Sequence, residues 1–265
     1  MISSTGNATI KAIRALRHRK ARQEQGRYFV EGIRIVTEAA GTNAPVEQCV
    51  VAPDLLHSGH ARAVVGRLRA SGVPVTEVTS SVFASISLKE NPQGLGAVIR
   101  QQVRSLSGVD ARHGLCWVAL NEVRDPGNLG TIVRTAEAVG AGGVIVLGDC
   151  ADPYDPIALR ASMGAIFAQP VVSASFEEFF MWATAECLQI TGTSDAANIH
   201  YREARYGAPA VLLMGSEREG LSAAHQDACD VVVRIPMMGR SDSLNLAVAT
   251  GVMLYEILAR SDTAH

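Results

Sequence analysis

The chain has 265 residues, of which 48% are hydrophobic, and a formal net charge of −2. It can bury the core of one large domain or two modest ones. Its one long apolar stretch, 244–258, contains an asparagine, a glycine and a glutamate, which favours a buried helix over a membrane span. The N-terminus lacks the apolar region of a secretion signal. The cysteines form neither a CxxC pair nor a metal-ligand spacing, so we expect reduced thiols, a cytoplasmic protein and no metal.

Predicted helices and short strands alternate over the first hundred residues. In "NATIKAIRALRHRK", Ile10, Ile13 and Leu16 share one helix face, and Asn7 can cap it. The later segments are strand "RYFVEG", helix "IRIVTEAA", strand "VEQCVVAP", helix "HARAVVGRLRASG", strand "VPVTEV", helix "SSVFASIS" and strand "GLGAVIRQQV". This order predicts a compact α/β sandwich over residues 1–103, followed by a polar linker over 104–113.

The two halves of the chain carry opposite charge. Residues 1–113 contain 15 Lys and Arg against 8 Asp and Glu, whereas residues 114–265 contain 9 against 18. The basic front half is expected to bind a polyanion, although a solvated basic face is the plain alternative. Because few aromatic residues lie among the basic ones, phosphate contacts are favoured over base stacking. The candidate phosphate contacts, which are RNA contacts if the polyanion is RNA, are Arg14, Arg17, Arg19, Lys20, Arg22 and Arg27.

Over residues 114–265, near-continuous apolar strands alternate with helices. The strands are "LCWVALN", "GVIVLG", "QPVVS", "CLQITGT", "PAVLLMG" and "DVVVRIP", with helices near 128–140, 156–167, 176–186, 222–228 and 243–260. This pattern predicts an α/β domain whose parallel sheet is covered by helices on both faces. Ligands of such sheets bind beyond the carboxyl ends of the strands.

The glycine-rich segment 125–143 resembles a nucleotide loop but lacks the required spacing. Gly127 and Gly130 form only GxxG, and "GAGG" follows a helix instead of opening one. NAD and ATP sites are therefore not predicted. Arg134 lies opposite the apolar face of this helix, where it is either an ordinary surface arginine or a side chain that a substrate can approach.

Two later loops also carry polar residues at strand ends. Glu217 lies in "VLLMGSEREGLS", and Ser243 and Asn245 open the last, mostly apolar helix. Plain explanations are a solvated acid for Glu217 and a helix cap for Ser243. A buried Asn245 would need a hydrogen-bond partner.

The ordered set "NEVRDPGNLGTIVRTAEAVGAGGVIVLG", "RASMGAIF", "LLMGSEREGLS" and "RIPMMGRSDSLNLAVATGVMLYE" resembles the SpoU family of RNA 2′-O-ribose methyltransferases in the SPOUT superfamily. The resemblance spans about 114–260. It is weaker over the front half, which is similar to the L30e-like substrate-binding domain that precedes such catalytic domains. Phe29, Glu31 and Gly32 match best there.

The resemblance implies a C-terminal trefoil knot, a homodimer and S-adenosylmethionine (AdoMet) as cofactor. The family's cofactor positions fall on Thr193, Gly215, Ile235, Met237 and Leu244. Its catalytic positions fall on Asn128, Arg134, Glu217, Ser243 and Asn245. The family arginine has been assigned as the base; because arginine stays protonated at neutral pH, orienting the ribose and stabilising negative charge is the alternative.

The expected reaction is therefore 2′-O-methylation of RNA, with 23S ribosomal RNA favoured by the two-domain layout. A tRNA methyltransferase is one alternative. A non-catalytic RNA-binding protein of ribosome assembly is another, although the complete set of motif residues argues against it.

Overall fold

The computed structural model describes residues 1–42, 44–102 and 104–262, which form two compact units. The first unit comprises Met1–Gln102 together with Tyr154–Ala168, and the second comprises 104–153 and 169–262. The first unit thus includes a segment from the middle of the back half of the chain, which the domain bounds expected from the sequence did not include.

The elements follow the predicted alternation, except that the structure adds a second short helix at Arg19–Gln25 and a short strand at Ile199–His200. The helices in the described residues are α1 (Ala8–Ala15), α2 (Arg19–Gln25), α3 (Ile33–Gly41), α4 (Gly59–Ala70), α5 (Ser80–Ile86), α6 (Pro126–Ala138), α7 (Pro156–Ser162), α8 (Phe176–Ala185), α9 (Ala223–Asp227) and α10 (Leu246–Asp262). The strands are β1 (Arg27–Glu31), β2 (Val46–Val51), β3 (Val75–Glu77), β4 (Leu95–Arg100), β5 (Trp117–Asn121), β6 (Gly143–Leu147), β7 (Val171–Ala174), β8 (Gln189–Thr193), β9 (Ile199–His200), β10 (Ala210–Met214) and β11 (Val231–Arg234).

The first unit is built on a four-stranded mixed sheet in the order β1-β4-β2-β3. β4 pairs antiparallel with β1 and β2, and β3 pairs parallel with β2. One apolar cluster joins the sheet to α3 and α4, and a second joins it to α1 and α5. The predicted α/β sandwich is confirmed in its layers, with helices on both faces of the sheet.

The segment 154–168 completes the core of the first unit. Tyr154 stacks on Tyr28 with ring centroids 4.5 Å apart, and Leu159 of α7 is buried in the same apolar cluster. Asp155 caps α7 by accepting a hydrogen bond from the amide of Ile157, and it also pairs with Arg22 at 3.4 Å. The first unit therefore depends on side chains that lie more than fifty residues beyond its last strand.

The structure corrects one predicted RNA contact. Arg22 is 1% exposed, and its guanidinium donates to the carbonyl oxygens of Leu16 and Arg17 at the end of α1 as well as pairing with Asp155. A side chain enclosed in this way cannot reach a phosphate. Its position in the basic run is explained by the need for a cation that holds α1, α2 and α7 together.

The other five predicted RNA contacts differ in how far their side chains are buried and paired within the protein. Arg14 and Arg17 are half-buried and donate to the carbonyl oxygen of Ser85, while Arg27 pairs with Glu47. Arg19 and Lys20 are exposed on α2. Binding of RNA by these five residues stays a prediction.

The second unit contains the predicted parallel sheet. Its seven strands lie in the order β7-β6-β5-β10-β8-β11-β9, and each neighbouring pair is parallel. β5, β6 and β10 are buried at every position, in agreement with their continuous apolar sequences. The fold class expected from the sequence, an α/β domain with a helix-covered parallel sheet behind a smaller α/β domain, is confirmed.

Some local features differ from the sequence expectations. The predicted helix 156–167 is divided into α7 and a 3₁₀ turn at Ala165–Phe167, because Met163 and Gly164 adopt positive φ angles. Within 104–113, Leu106 and Ala111 pack into the core of the second unit, so this stretch is partly structural. No helix among the described residues is long and apolar enough to cross a membrane.

Candidate functional site

A cavity of about 320 Å³ opens where β8, β10 and β11 end. This volume lies within the roughly 300–1,000 Å³ usual for small-molecule sites. Its position beyond the carboxyl ends of parallel strands is the one expected for a ligand of such a sheet. The five positions that the resemblance assigned to the cofactor all line this cavity: Thr193, Gly215, Ile235, Met237 and Leu244.

The cavity wall matches the chemistry of AdoMet. Apolar side chains, among them Val233, Ile235 and Leu246, form a surface suited to a flat purine, and carboxylates suited to the cationic sulfonium and ammonium groups come from Asp195 and Glu219. Gly215 is required by packing, because a Cβ atom there would lie 2.1 Å from the carbonyl carbon of Gly220. The residues present therefore fit this cofactor.

Glu217, on the rim of the cavity, organises the loop that precedes α6. Its carboxylate accepts hydrogen bonds from the backbone amides of Arg124 and Asp125, at 3.2 and 3.1 Å, and from the side-chain amide of Asn128 at 3.1 Å. Partial burial alone would raise the pKa of Glu217, but these hydrogen bonds to the charged form outweigh it and lower the pKa below the usual value. Glu217 is thus an ionised acceptor at neutral pH.

Asn128 and Asn245 extend this contact into a directed chain of hydrogen bonds. Because the Glu217 carboxylate only accepts, Asn128 turns its NH₂ group toward it and its Oδ1 away. Oδ1 of Asn128 then accepts from Nδ2 of Asn245 at 3.0 Å. Oδ1 of Asn245 in turn accepts from the amides of Ala247 and Val248, so Asn245 caps α10.

The other two predicted catalytic residues are placed differently. Ser243 lines the cavity and donates to Asp242 at 3.3 Å, and the cap of α10 is Asn245 instead of Ser243. Arg134 lies on the exposed face of α6 and is absent from the cavity wall. Within 104–153 and 169–262, neither a hydrogen bond nor an ion pair engages its guanidinium, so it is available to a substrate.

Sequence reasoning missed several residues that contribute to this site. Asp195 and Glu219 line the cavity, and Asp125 caps α6 through the amide of Asn128. Asp195 could have been found, since it follows the end of β8, where the parallel-sheet rule locates ligands. No sequence pattern could have predicted that backbone amides donate to Glu217.

Two family models match the chain, one over its front half and one over its back half. Residues 116–255 match the SpoU rRNA methylase family, and residues 7–97 match the MRM3-like substrate binding domain. The chain belongs to the SpoU rRNA methylase family. It is accordingly a methyltransferase with AdoMet as its cofactor, as the resemblance implied.

Several relatives match this SpoU methylase over more than nine-tenths of its length. A 23S rRNA (uridine(2479)-2′-O)-methyltransferase from Streptomyces viridochromogenes is 31% identical over 91% of this chain and 85% of its own. The 23S rRNA (guanosine(2553)-2′-O)-methyltransferase RlmP of Bacillus subtilis is 28% identical over 97% and 98%. A crystal structure of an AdoMet-bound rRNA methyltransferase from Sinorhizobium meliloti is 37% identical, with a TM-score of 0.89 over 98% of this chain and 97% of that one.

The directed hydrogen bonds of this SpoU methylase predict an unusual pH response for the Asn128→Asp variant. Two carboxylates would face each other where Nδ2 now donates to Glu217, and repulsion should lower activity about tenfold at neutral pH. The same repulsion raises the pKa of one carboxyl group. As the pH falls from 8 toward 5.5, the added proton restores a donor, so activity relative to wild type should rise.

The matched control is Asn128→Ala, which removes the donor without adding a charge. Its activity should be low relative to wild type at every pH in this range. Initial methylation rates measured across the range test the idea, and parallel pH profiles for the two variants would contradict it.

Proposed function

We propose that this chain transfers the methyl group of AdoMet to a ribose 2′-hydroxyl of 23S rRNA. The observation that carries the proposal is one continuous site in which the cofactor-type cavity meets the hydrogen-bonded chain Glu217–Asn128–Asn245. Two relatives with that activity support the choice of substrate.

Each residue has a distinct proposed role. Thr193, Gly215, Ile235, Met237 and Leu244 bind AdoMet, which when bound supplies an electrophilic methyl group. The Glu217–Asn128–Asn245 chain fixes the start of α6 against the start of α10. Ser243 contacts the substrate from the cavity rim. Arg134 orients the ribose and stabilises the negative charge that develops on its 2′-oxygen as the hydroxyl proton passes to water, since a protonated guanidinium is a poor base.

We also infer that the catalytic unit is knotted. α10 packs against α6 and β10, and the loops that follow β10 and β11 both line the cavity. A trefoil knot would bring these two late loops together and hold them next to each other. The family membership of residues 116–255 supports this topology.

The substrate is inferred to be ribosomal RNA in the cytoplasm, with the front domain, about 1–103, recognising RNA and 114–265 performing catalysis. The match of residues 7–97 to a substrate-binding domain supports this division, and the two 23S rRNA methyltransferases among the relatives favour rRNA over tRNA. The unpaired cysteines, including buried Cys49, Cys116 and Cys150, are compatible with a reducing compartment.

The direct test uses 23S rRNA transcribed in vitro, AdoMet and the full chain. Incorporation of one methyl group per transcript at a ribose 2′-oxygen, mapped by its resistance to alkaline cleavage, is the expected result. If tRNA is methylated and 23S rRNA is not, tRNA replaces 23S rRNA as the proposed substrate. AdoMet binding without any methylation would favour a non-catalytic role.

A homodimer is proposed from the exposed face of α10. Val248 and Tyr255 are 53% and 55% exposed and lie seven residues apart, so they share one apolar face of the helix. We expect light scattering to give twice 28.0 kDa for the wild type. Val248→Asp combined with Tyr255→Asp should give the monomer, because it buries two charges in an apolar contact.

The control for the dimer experiment is Met181→Asp, which charges a 57% exposed side chain on α8. It should remain dimeric. A wild-type monomer at micromolar concentration, or a dimer in the doubly charged α10 variant, would contradict the proposed interface.

A further inference from the structure

The first unit contains a cavity of its own, of about 180 Å³. Its walls come from α1, β1, α3, α7 and the loop after α5. The interior is apolar, with Leu16, Phe29, Ile35 and Met163 among its lining residues.

Cationic side chains surround this apolar interior. Arg17, Arg34, Lys89 and Arg160 line the cavity, with Glu31 as the acidic residue. The Glu31 carboxylate is already engaged, because it accepts from the Ser87 hydroxyl and the Leu88 amide. Arg34 and Arg160 are exposed, and the described residues offer them no ion-pair partner. The site therefore has a net positive rim suited to a phosphate.

Arg17 is a fixed cation in the wall of this cavity. Its Nη2 donates to the carbonyl oxygens of Ser85 and Ser87, at 3.0 and 2.7 Å, which holds the guanidinium in place. Its Nε–H is buried and has no acceptor among the described residues. The positive charge of Arg17 therefore keeps one position beside the apolar interior, where it can attract a phosphate.

We propose that this cavity takes one unstacked nucleotide of the RNA substrate. The base enters the apolar interior beside Phe29, and its phosphate lies at the rim near Arg34 and Arg160. Proteins that recognise RNA commonly capture bases that have left the helical stack, on aromatic side chains and between arginines. The proposal rests on the function proposed above, because it needs RNA as the substrate. It locates a recognition site in the first unit, and most of the lining residues lie in the region matched to a substrate-binding domain.

This cavity is not formed by the basic residues of the front half alone. Arg160 belongs to α7, which the chain contributes from between β6 and β7. The excursion of 154–168 into the first unit therefore completes the cavity as well as the core.

The test measures the affinity of the full chain for an unmethylated 23S rRNA transcript over a range of salt concentrations. Arg160→Ala should weaken binding and reduce the slope of log Kd against log salt by about 0.7–0.9, the contribution of one phosphate contact. Phe29→Leu keeps an apolar side chain but removes the aromatic face. It should weaken binding about fivefold or more without changing the slope.

The matched control is Arg67→Ala on α4, an exposed arginine outside this cavity. It should bind RNA as the wild type does. AdoMet binding, followed by calorimetry, should be the same in all variants. Wild-type affinity and slope in Arg160→Ala would overturn the proposal, even if Phe29→Leu proved unstable. A wild type that binds neither AdoMet nor 23S rRNA would instead refute the proposed function.

Discussion

Replacing Arg134 by alanine is expected to slow methyl transfer to 23S rRNA about 10²–10³-fold, the usual cost of losing one well-placed electrostatic donor. The fold should not suffer, because the side chain is exposed on α6 and the apolar face of that helix is formed by other residues. The cofactor cavity does not include Arg134, so the affinity for AdoMet should also be unchanged. Single-turnover methylation with saturating RNA measures the chemical step.

Two further variants separate the proposed role from a general effect of charge. Arg134→Lys should restore little activity, since lysine keeps the charge but loses the planar pair of donors. Arg112→Ala removes another exposed arginine of the same unit and should leave the rate unchanged. Activity within a few-fold of wild type in Arg134→Ala would end the catalytic assignment.

Arg22→Ala should lower the free energy of unfolding by about 3 kcal/mol, the lower end of the range for breaking a buried ion pair. The lower end applies because Asp155, whose side chain is 30% exposed, can be hydrated once its partner is gone. The carbonyl oxygens of Leu16 and Arg17 would also lose their donor. Urea unfolding monitored by circular dichroism measures the change.

The control for Arg22 is its neighbour Lys20, which is exposed on the same helix and, among the described residues, pairs only with Glu24 at 3.8 Å. Lys20→Ala should change the unfolding free energy by about 0.5 kcal/mol or less. If Arg22→Ala were equally harmless and instead reduced the salt dependence of RNA binding, the structural role of Arg22 would be wrong.

Most of the secondary structure could be predicted from the periodicity of apolar residues in the sequence. Continuous apolar runs in β5, β6 and β10 identify buried parallel strands, because such strands have helices on both faces and no solvated side. The ordered motifs also identified positions that come together at one cavity, from Thr193 to Leu244. This was achievable because the loops at the ends of neighbouring parallel strands must share one edge of the sheet.

The tertiary structure alone decided what each polar residue does. In the sequence, Arg22 cannot be distinguished from Arg19 or Lys20, yet it is buried because a segment more than a hundred residues away supplies Asp155. Likewise, Glu217, Asn128 and Asn245 are separated by up to 117 positions, and the direction of their hydrogen bonds follows only from their contact in space. Local patterns report which face of an element is apolar. The partner of a polar group depends on which distant element packs against it, and that is fixed only when the whole chain has folded.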